Sequence, residues 1–179
     1  MAKLDEIDTE ILRELEQDAR NSYRSIAKKL GISVGTVHNR ISKLKKDGIL
    51  RGFLLDLDTM KLGYNLKFLI LLTIEGKYTQ DVLEIISEYP QITNIYHITG
   101  DQTAALICRF KEMEEVQKFI NRLNQIPHIL KTSSNMILNT FKEDEHNLFS
   151  LSDSKLSEKS FENKQNAIEG IKPFSKANY

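Results

Sequence analysis

The chain has 179 residues, of which 40% are hydrophobic and 28% charged, with 25 basic and 25 acidic side chains and one cysteine. This composition is ordinary for one large or two small globular domains. A lone cysteine excludes an internal disulfide, and no apolar run is long enough to span a membrane. Because the N-terminus turns acidic at once and lacks a signal-like apolar core, we expect a cytoplasmic protein.

Charge is unevenly distributed along the first third of the chain. Residues 1–19 carry seven acidic and two basic side chains, whereas residues 20–53 carry nine basic side chains and one acidic one. The overall net charge of zero therefore conceals one strongly positive stretch. A positive field confined to a short segment is typical of a surface that binds phosphates.

Apolar residues recur at helical spacing in three successive segments near the N-terminus. They predict helices over residues 5–17, 23–30 and 34–46. Ser22 and Ser33 are suitable N-caps for the second and third helices, and Gly31 suits the left-handed residue that ends the second. A short helix, a glycine-containing turn and a second amphipathic helix form a helix-turn-helix unit. The stretch Ile49–Leu55 then predicts a strand or wing.

The third predicted helix has a polar and basic face opposite its apolar one. Asparagine can pair with adenine and arginine with guanine, whereas lysine suits phosphates, and the first-turn amides can hold a phosphate. The lysines alone would be equally typical of a solvated helix end, and Arg51 of a solvated strand. A trihelical core with an uninterrupted basic face nevertheless predicts DNA binding. The predicted DNA-contacting residues are Arg24, Lys28, Ser33, Gly35, Thr36, His38, Asn39, Arg40, Lys43 and Arg51.

The pattern changes after a segment at residues 54–63, which we interpret as a linker. Strands are predicted within residues 68–74, 92–99, 104–110 and 129–141, and helices over 79–89 and 111–124. This order predicts a ferredoxin-like βαββαβ domain, an antiparallel sheet with two helices on one face, so that the whole chain is α+β. The strand from Phe68 is apolar on both faces, so we expect the second face to meet the sheet of an identical subunit.

The segments quoted so far resemble the Lrp/AsnC (feast/famine) family of transcription regulators over about residues 4–141. The most specific match is GISVGTVHNRISKLKKDGIL from Gly31 to Leu50, supported by LDEIDTEIL from Leu4 and by Leu62-Gly63. The resemblance implies a winged helix-turn-helix domain over residues 1–53 and an effector-binding, dimerising domain over 64–141. It also implies DNA-binding homodimers, often assembled into tetramers or octamers, and a small-molecule effector, commonly an amino acid.

The same resemblance assigns the effector site to a turn of the second domain. The family has a Gly-Asp-x-Asp turn here, and the implied effector-binding residues are Thr99, Gly100, Asp101, Gln102 and Thr103. Thr103 stands where the family has its second acidic residue, which removes one acceptor for an ammonium group. Without the resemblance, the segment is equally typical of a plain β-turn.

Two other functions remain open beside the sequence-specific regulator. One is an architectural DNA-binding protein without an effector. The other is an enzyme related to sirohaem decarboxylases, which resemble this family in both domains and for which His97 or His128 would lie in a tetrapyrrole pocket. The basic recognition face argues against the enzyme.

Neither a cofactor nor a metal ion is expected. The four histidines lack metal-ligand spacing, and Cys108 is predicted to be a small core residue. The polar tail at residues 142–179 departs from the family and is interpreted as a mobile segment that orders on contact, with a helix packed on a partner as the alternative.

Overall fold

The computed structural model describes residues 4–143, which divide into two compact units between Leu54 and Leu55. Residues 55–63, most of the segment interpreted as a linker, belong to the second unit by their contacts. The predicted tail lies outside the described residues from position 144 onward.

The first unit consists of three helices, as predicted. They are α1 (Glu6–Gln17), α2 (Tyr23–Leu30) and α3 (Val34–Lys46). The side chains of Ser22 and Ser33 cap α2 and α3, and Gly31 ends α2 with a φ of 68°. Because these caps satisfy amides that a helix leaves unpaired at its start, they fix where each helix begins. The apolar faces of the three helices meet around Ile11, Ile26 and Val37 in a common core.

Two carboxylates on α1 are buried with this core, and each has a cation from another helix. Asp8 is 3% exposed, and its Oδ1 lies 3.1 Å from Nη1 of Arg40 on α3. Glu14 pairs with Lys29 of α2 and accepts a hydrogen bond of 3.3 Å from Asn21. A buried charge is tolerated only when it is paired, so these contacts tie α1 to both other helices.

The strand predicted from Ile49 to Leu55 does not form, and that prediction is wrong for the single chain. Residues 49–57 contain no strand, and Leu54 and Leu55 are each 81% exposed. A strand needs a neighbour to take its backbone hydrogen bonds, and none pairs with this segment in the described chain.

The second unit has the predicted βαββαβ order. Its elements are β1 (Leu66–Ile74), α4 (Thr79–Ser87), β2 (Ile92–His97), β3 (Ala104–Phe110), α5 (Met113–Gln125) and β4 (Ile129–Met136). The sheet has the strand order β2-β3-β1-β4, and every pair is antiparallel. This topology confirms the ferredoxin-like prediction and the α+β class.

The two faces of this sheet differ in what covers them. Alternate residues of β1 and β3 pack with both helices in a single core, in which Phe110 contacts Phe68 and Phe119 at ring-centroid distances of 6.0 and 5.4 Å. Cys108 is buried there, and burial raises the pKa of its thiol to about 12, which agrees with the predicted core role. On the opposite face, Leu69 pairs across the sheet with Ile107, both half-buried.

The contact between α1 and α3 makes the stability of the first unit depend on pH. The hydrogen bond from Arg40, assisted by the amide of Asp8, lowers the pKa of the exposed Asp5 carboxyl below its ordinary value of 3.8. A lowered pKa adds stability above the ordinary value, and this stability is lost as the pH falls through the lowered one. Asp5→Asn should therefore lower the free energy of unfolding modestly at neutral pH and cease to do so in acid.

Urea unfolding followed by circular dichroism across this pH range measures the effect. Asparagine caps a helix as well as aspartate, so the substitution isolates the charge. The exposed Asp56→Asn serves as the control, for which no such change is expected. If the loss of unfolding free energy in Asp5→Asn stays constant down to acid pH, the charge of Asp5 is not its cause.

Candidate nucleic-acid interface and effector turn

Helix α3 has an exposed polar side centred on Asn39. At about 100° per residue, Asn39 lies roughly 170° from the centre of the face formed by the buried Val37, Ile41 and Leu44. Lys43 lies on the same outer side, and both side chains are exposed. The flanks of this side carry Thr36, which is half-buried, and His38, which is exposed and lies edge-on to the ring of Tyr23 at 6.1 Å.

The N-terminus of α3 is open to close approach by an anion. Ser33 accepts a hydrogen bond of 3.0 Å from the amide of Thr36, and the two hydroxyls lie 2.9 Å apart. A Cβ added at Gly35 would meet only Ser33 Oγ, at 3.7 Å, so packing within the chain does not require glycine at this position. The missing side chain leaves the backbone bare at the positive end of the helix, where anions bind.

Arg40 differs from the rest of the predicted set. It lies only about 70° from the centre of the buried face of α3, its side chain is 27% exposed, and its guanidinium contacts Asp5 and Asp8. These carboxylates raise the pKa of Arg40. The structure therefore does not leave Arg40 on the outer face with Asn39.

The other predicted phosphate-binding cations are exposed on the first unit. Arg24 and Lys28 lie on α2, and Arg51 lies just beyond α3. Nearby, Nζ of Lys45 lies 5.6 Å from the centre of the Phe53 ring. Exposed basic side chains thus lie on the helix that precedes α3 and on the segment that follows it.

Sequence reasoning missed the acidic partners on α1, although the signal was present. Asp8 stands three and seven residues before Ile11 and Leu15, so helical spacing places it on the apolar face. Glu14 stands three residues after Ile11 and shares that face. A carboxylate at a core position requires a cation from another segment, and the basic stretch that follows offers several.

The predicted effector turn connects β2 to β3 and is a genuine tight turn. Gly100 has a φ of 113°, a conformation that favours glycine, and the amide of Ile98 donates to the carbonyl of Thr103 at 3.0 Å. The side chains of Thr99 and Asp101 are exposed. Asp101 carries the one carboxylate among the five residues, and its negative charge suits a positively charged group.

Thr103 and Gln102 are engaged with β1. The Thr103 hydroxyl accepts from the Ile74 amide at 3.0 Å and lies 3.3 Å from the Ile74 carbonyl, to which it donates. Gln102 Oε1 accepts from the Thr73 hydroxyl at 3.2 Å. At the position where the resemblance implies a carboxylate, this chain therefore has a threonine. Its hydroxyl forms hydrogen bonds with the backbone amide and carbonyl of Ile74 at the end of β1.

A separate groove of about 650 Å³ lies between α4 and β2, and none of the five predicted effector residues lines it. His97 forms part of its wall, opposite Gln80 and Glu84. His128 has a φ of 71°, stacks on Tyr78 at 3.5 Å and contacts Glu75 at 3.0 Å.

The described part of the chain contains neither a metal-binding cluster nor a membrane-spanning helix. Within positions 4–143, no group of three or more potential ligands could hold a metal ion. Over the same range, no helix is long and apolar enough to cross a membrane.

Comparison with known proteins identifies both units. Residues 4–51 match the family described as winged helix-turn-helix DNA-binding, and residues 67–146 match the Lrp/AsnC ligand binding domain. An uncharacterised HTH-type transcriptional regulator of Pyrococcus abyssi is 36% identical over 141 residues, which cover 79% of this chain and 96% of the relative. The HTH-type transcriptional regulator FL11 of Pyrococcus horikoshii is 35% identical, with 78% and 93% covered.

Solved structures agree with these matches. The structure of AsnC from Escherichia coli is similar with a TM-score of 0.74 and 26% identity, and the match covers 79% of this chain and 96% of that one. The matched family and the two Pyrococcus relatives are transcription regulators, which assigns the chain to regulators and not to enzymes related to sirohaem decarboxylases. The chain belongs to the Lrp/AsnC family of transcription regulators, with an N-terminal helix-turn-helix and a ligand-binding domain.

Proposed function

We propose that this protein is a sequence-specific, homodimeric DNA-binding regulator whose activity responds to a small-molecule effector. The observation that supports this most directly is the exposed side of α3, with Asn39 at its centre and a bare Gly35 near its start. An exposed polar helix face with cations around it has the chemistry needed to enter the major groove.

Different residues have different tasks in this proposal. Asn39 contacts a base edge, because its amide can donate and accept in the bidentate pattern of adenine. Thr36 and His38 contact neighbouring bases from the flanks. Ser33 and the amide of Gly35 hold a phosphate at the helix N-terminus. Exposed lysine and arginine side chains hold the remaining phosphates without reading sequence. These residues are Arg24, Lys28, Lys43 and Arg51.

Asn39→Ala and Lys43→Ala separate base reading from phosphate binding. We expect Asn39→Ala to lose roughly 1–3 kcal/mol of discrimination at one base pair of each half-site, since an adenine contact is lost. Lys43→Ala should weaken binding to all duplexes alike and reduce the salt slope by about 0.9. Selection from a random duplex pool at near-physiological salt, followed by affinity measurement on the selected motif, tests both.

Lys118→Ala is the matched control, because Lys118 is an exposed lysine of the second unit paired with Glu114. It should leave motif and affinity unchanged. If the wild type selects no motif but still binds duplexes, the protein is an architectural DNA binder. If it binds no duplex, the DNA-binding proposal fails.

The homodimer is proposed from the second face of the sheet. Leu69 and Leu71 are half-buried there, beside Ala105 and Ile107 on β3, while both helices of the unit pack on the opposite face. Tyr96 extends this apolar surface onto β2 and is exposed. An identical sheet covers such a face with matching chemistry. Two DNA-binding units in a dimer would then recognise imperfect palindromes with half-sites about 10 bp or a multiple apart.

Leu71→Glu tests the dimer, because a charge at the centre of an apolar interface cannot be solvated there. We expect the dissociation constant of the dimer to rise roughly 30-fold or more in this variant, as for a residue at an interface hot spot. Sedimentation velocity measures the change, and circular dichroism checks the fold. Ile85→Glu, on the exposed side of α4, is the control and should leave the dimer intact. A monomeric wild type would refute this arrangement.

The effector is proposed to be an amino acid held at the turn from Thr99 to Thr103. The exposed carboxylate of Asp101 suits its ammonium group, and the amides of a turn with a positive φ at Gly100 suit its carboxylate. Thr103 and Gln102 support the turn through β1. Asp101 is therefore the residue on which affinity should depend most.

Titration calorimetry with each common amino acid tests this proposal. Asp101→Asn should weaken binding of the best amino acid roughly 10- to 100-fold, the range for a hydrogen bond to a charged group. Glu88→Gln, which alters an exposed carboxylate after α4, should have no effect. Equal binding by both variants would move the site away from the turn, and binding of no amino acid would refute the effector class.

A further inference from the structure

We propose that Arg40 is a positioning residue, which fixes α3 against α1 through Asp8 and does not contact a base. This inference rests on the proposed function, because it concerns how the DNA-reading side of α3 is held. Arg40 is then not among the residues that contact bases, and Asn39 is the principal base-contacting residue.

The direction of the Arg40 side chain supports this role. Arg40 follows Asn39 and precedes the buried Ile41, so it leaves the helix at the boundary between the outer and buried sides. Its guanidinium contacts carboxylates 32 and 35 residues earlier in the chain, both at the start of α1. A side chain held at that boundary is turned away from the side centred on Asn39.

Releasing Arg40 from Asp8 would be energetically costly. Asp8 is almost fully buried, and its two oxygens have separate partners: Oδ1 lies 3.1 Å from Arg40, and Oδ2 accepts from the Asp5 amide at 3.4 Å. If Arg40 moved to a guanine, the buried Asp8 would keep only the longer of these contacts. Leaving one partner of a buried ion pair uncompensated is strongly unfavourable.

The charge of Arg40 also favours DNA binding. Asp5 and Asp8 place two negative charges beside α3, and the Asp5 side chain is about half exposed. Arg40 contacts both carboxylates, and its single positive charge offsets one of the two. Arg40 therefore orients the outer side of α3 and reduces the repulsion between the acidic start of α1 and a phosphate backbone.

A double-mutant cycle on Arg40→Ala and Asp8→Asn tests the proposal. We expect Arg40→Ala to reduce affinity for the selected motif while the preferred base at every position stays the same. Adding Asp8→Asn to it should restore roughly three- to tenfold of the lost affinity, because the uncompensated charge is then absent. The thermal midpoint should recover in parallel, measured by circular dichroism.

Arg40→Lys supplies a second test that does not depend on the stability of the alanine variant. Lysine can still pair with Asp8 as a point charge, but it lacks the rigid planar fork with which arginine recognises guanine, so the exchange would not be conservative at a base contact. Retention of the wild-type motif with affinity within about threefold supports positioning. Loss of preference at one base pair in Arg40→Lys, or no restoration by Asp8→Asn, would overturn it.

Asn39→Ala, alone and combined with Asp8→Asn, is the matched control. It should change the motif and should show no restoration, since Asn39 is not coupled to Asp8. If the wild type selects no motif, the proposed function fails, whereas coupling between Arg40 and Asp8 in thermal unfolding still decides the positioning role.

Discussion

The arrangement of the DNA-binding unit depends on the burial of two carboxylates in α1. Asp8 and Glu14 lie among apolar side chains, where an unpaired charge would be costly. Each therefore requires a cation, and the cations come from different helices, Arg40 of α3 and Lys29 of α2. Ion pairs between the acidic first segment and the basic segment that follows thus help to pack the three helices together. Residues 1–53 together carry eleven basic and eight acidic side chains, so basic side chains remain in excess for a phosphate-binding surface.

The ligand-binding unit is organised by a different constraint, the alternation of side chains between the two faces of a sheet. One face of β1 and β3 is filled by α4 and α5, and the other retains half-buried apolar residues. At the end of β1, Thr103 completes the hydrogen bonding of Ile74 from the neighbouring turn. The turn that contains Asp101 is therefore joined by hydrogen bonds to β1, an inner strand of the sheet.

The fold could be predicted largely from local signals. The bounds of α2, α3 and β3 agree with the prediction, because caps, glycine and changes of periodicity mark them. Elsewhere the ends shift by a few residues: β1 begins two residues earlier than predicted and β2 ends two residues earlier. The strand predicted after Gly48 failed because strand formation requires a pairing partner, which no local pattern can supply.

The sequence by itself determined the order of elements, the apolar side of each helix and the positive segment that follows α1. These depend on periodicity and composition, which are local properties. Only the tertiary structure decided the partners of the charged side chains. Arg40 and Asn39 are adjacent in sequence and both suit base recognition, yet packing of α1 against α3 places Asp8 beside Arg40 alone. Contacts between residues more than thirty positions apart depend on how helices pack, so periodicity within one helix cannot reveal them.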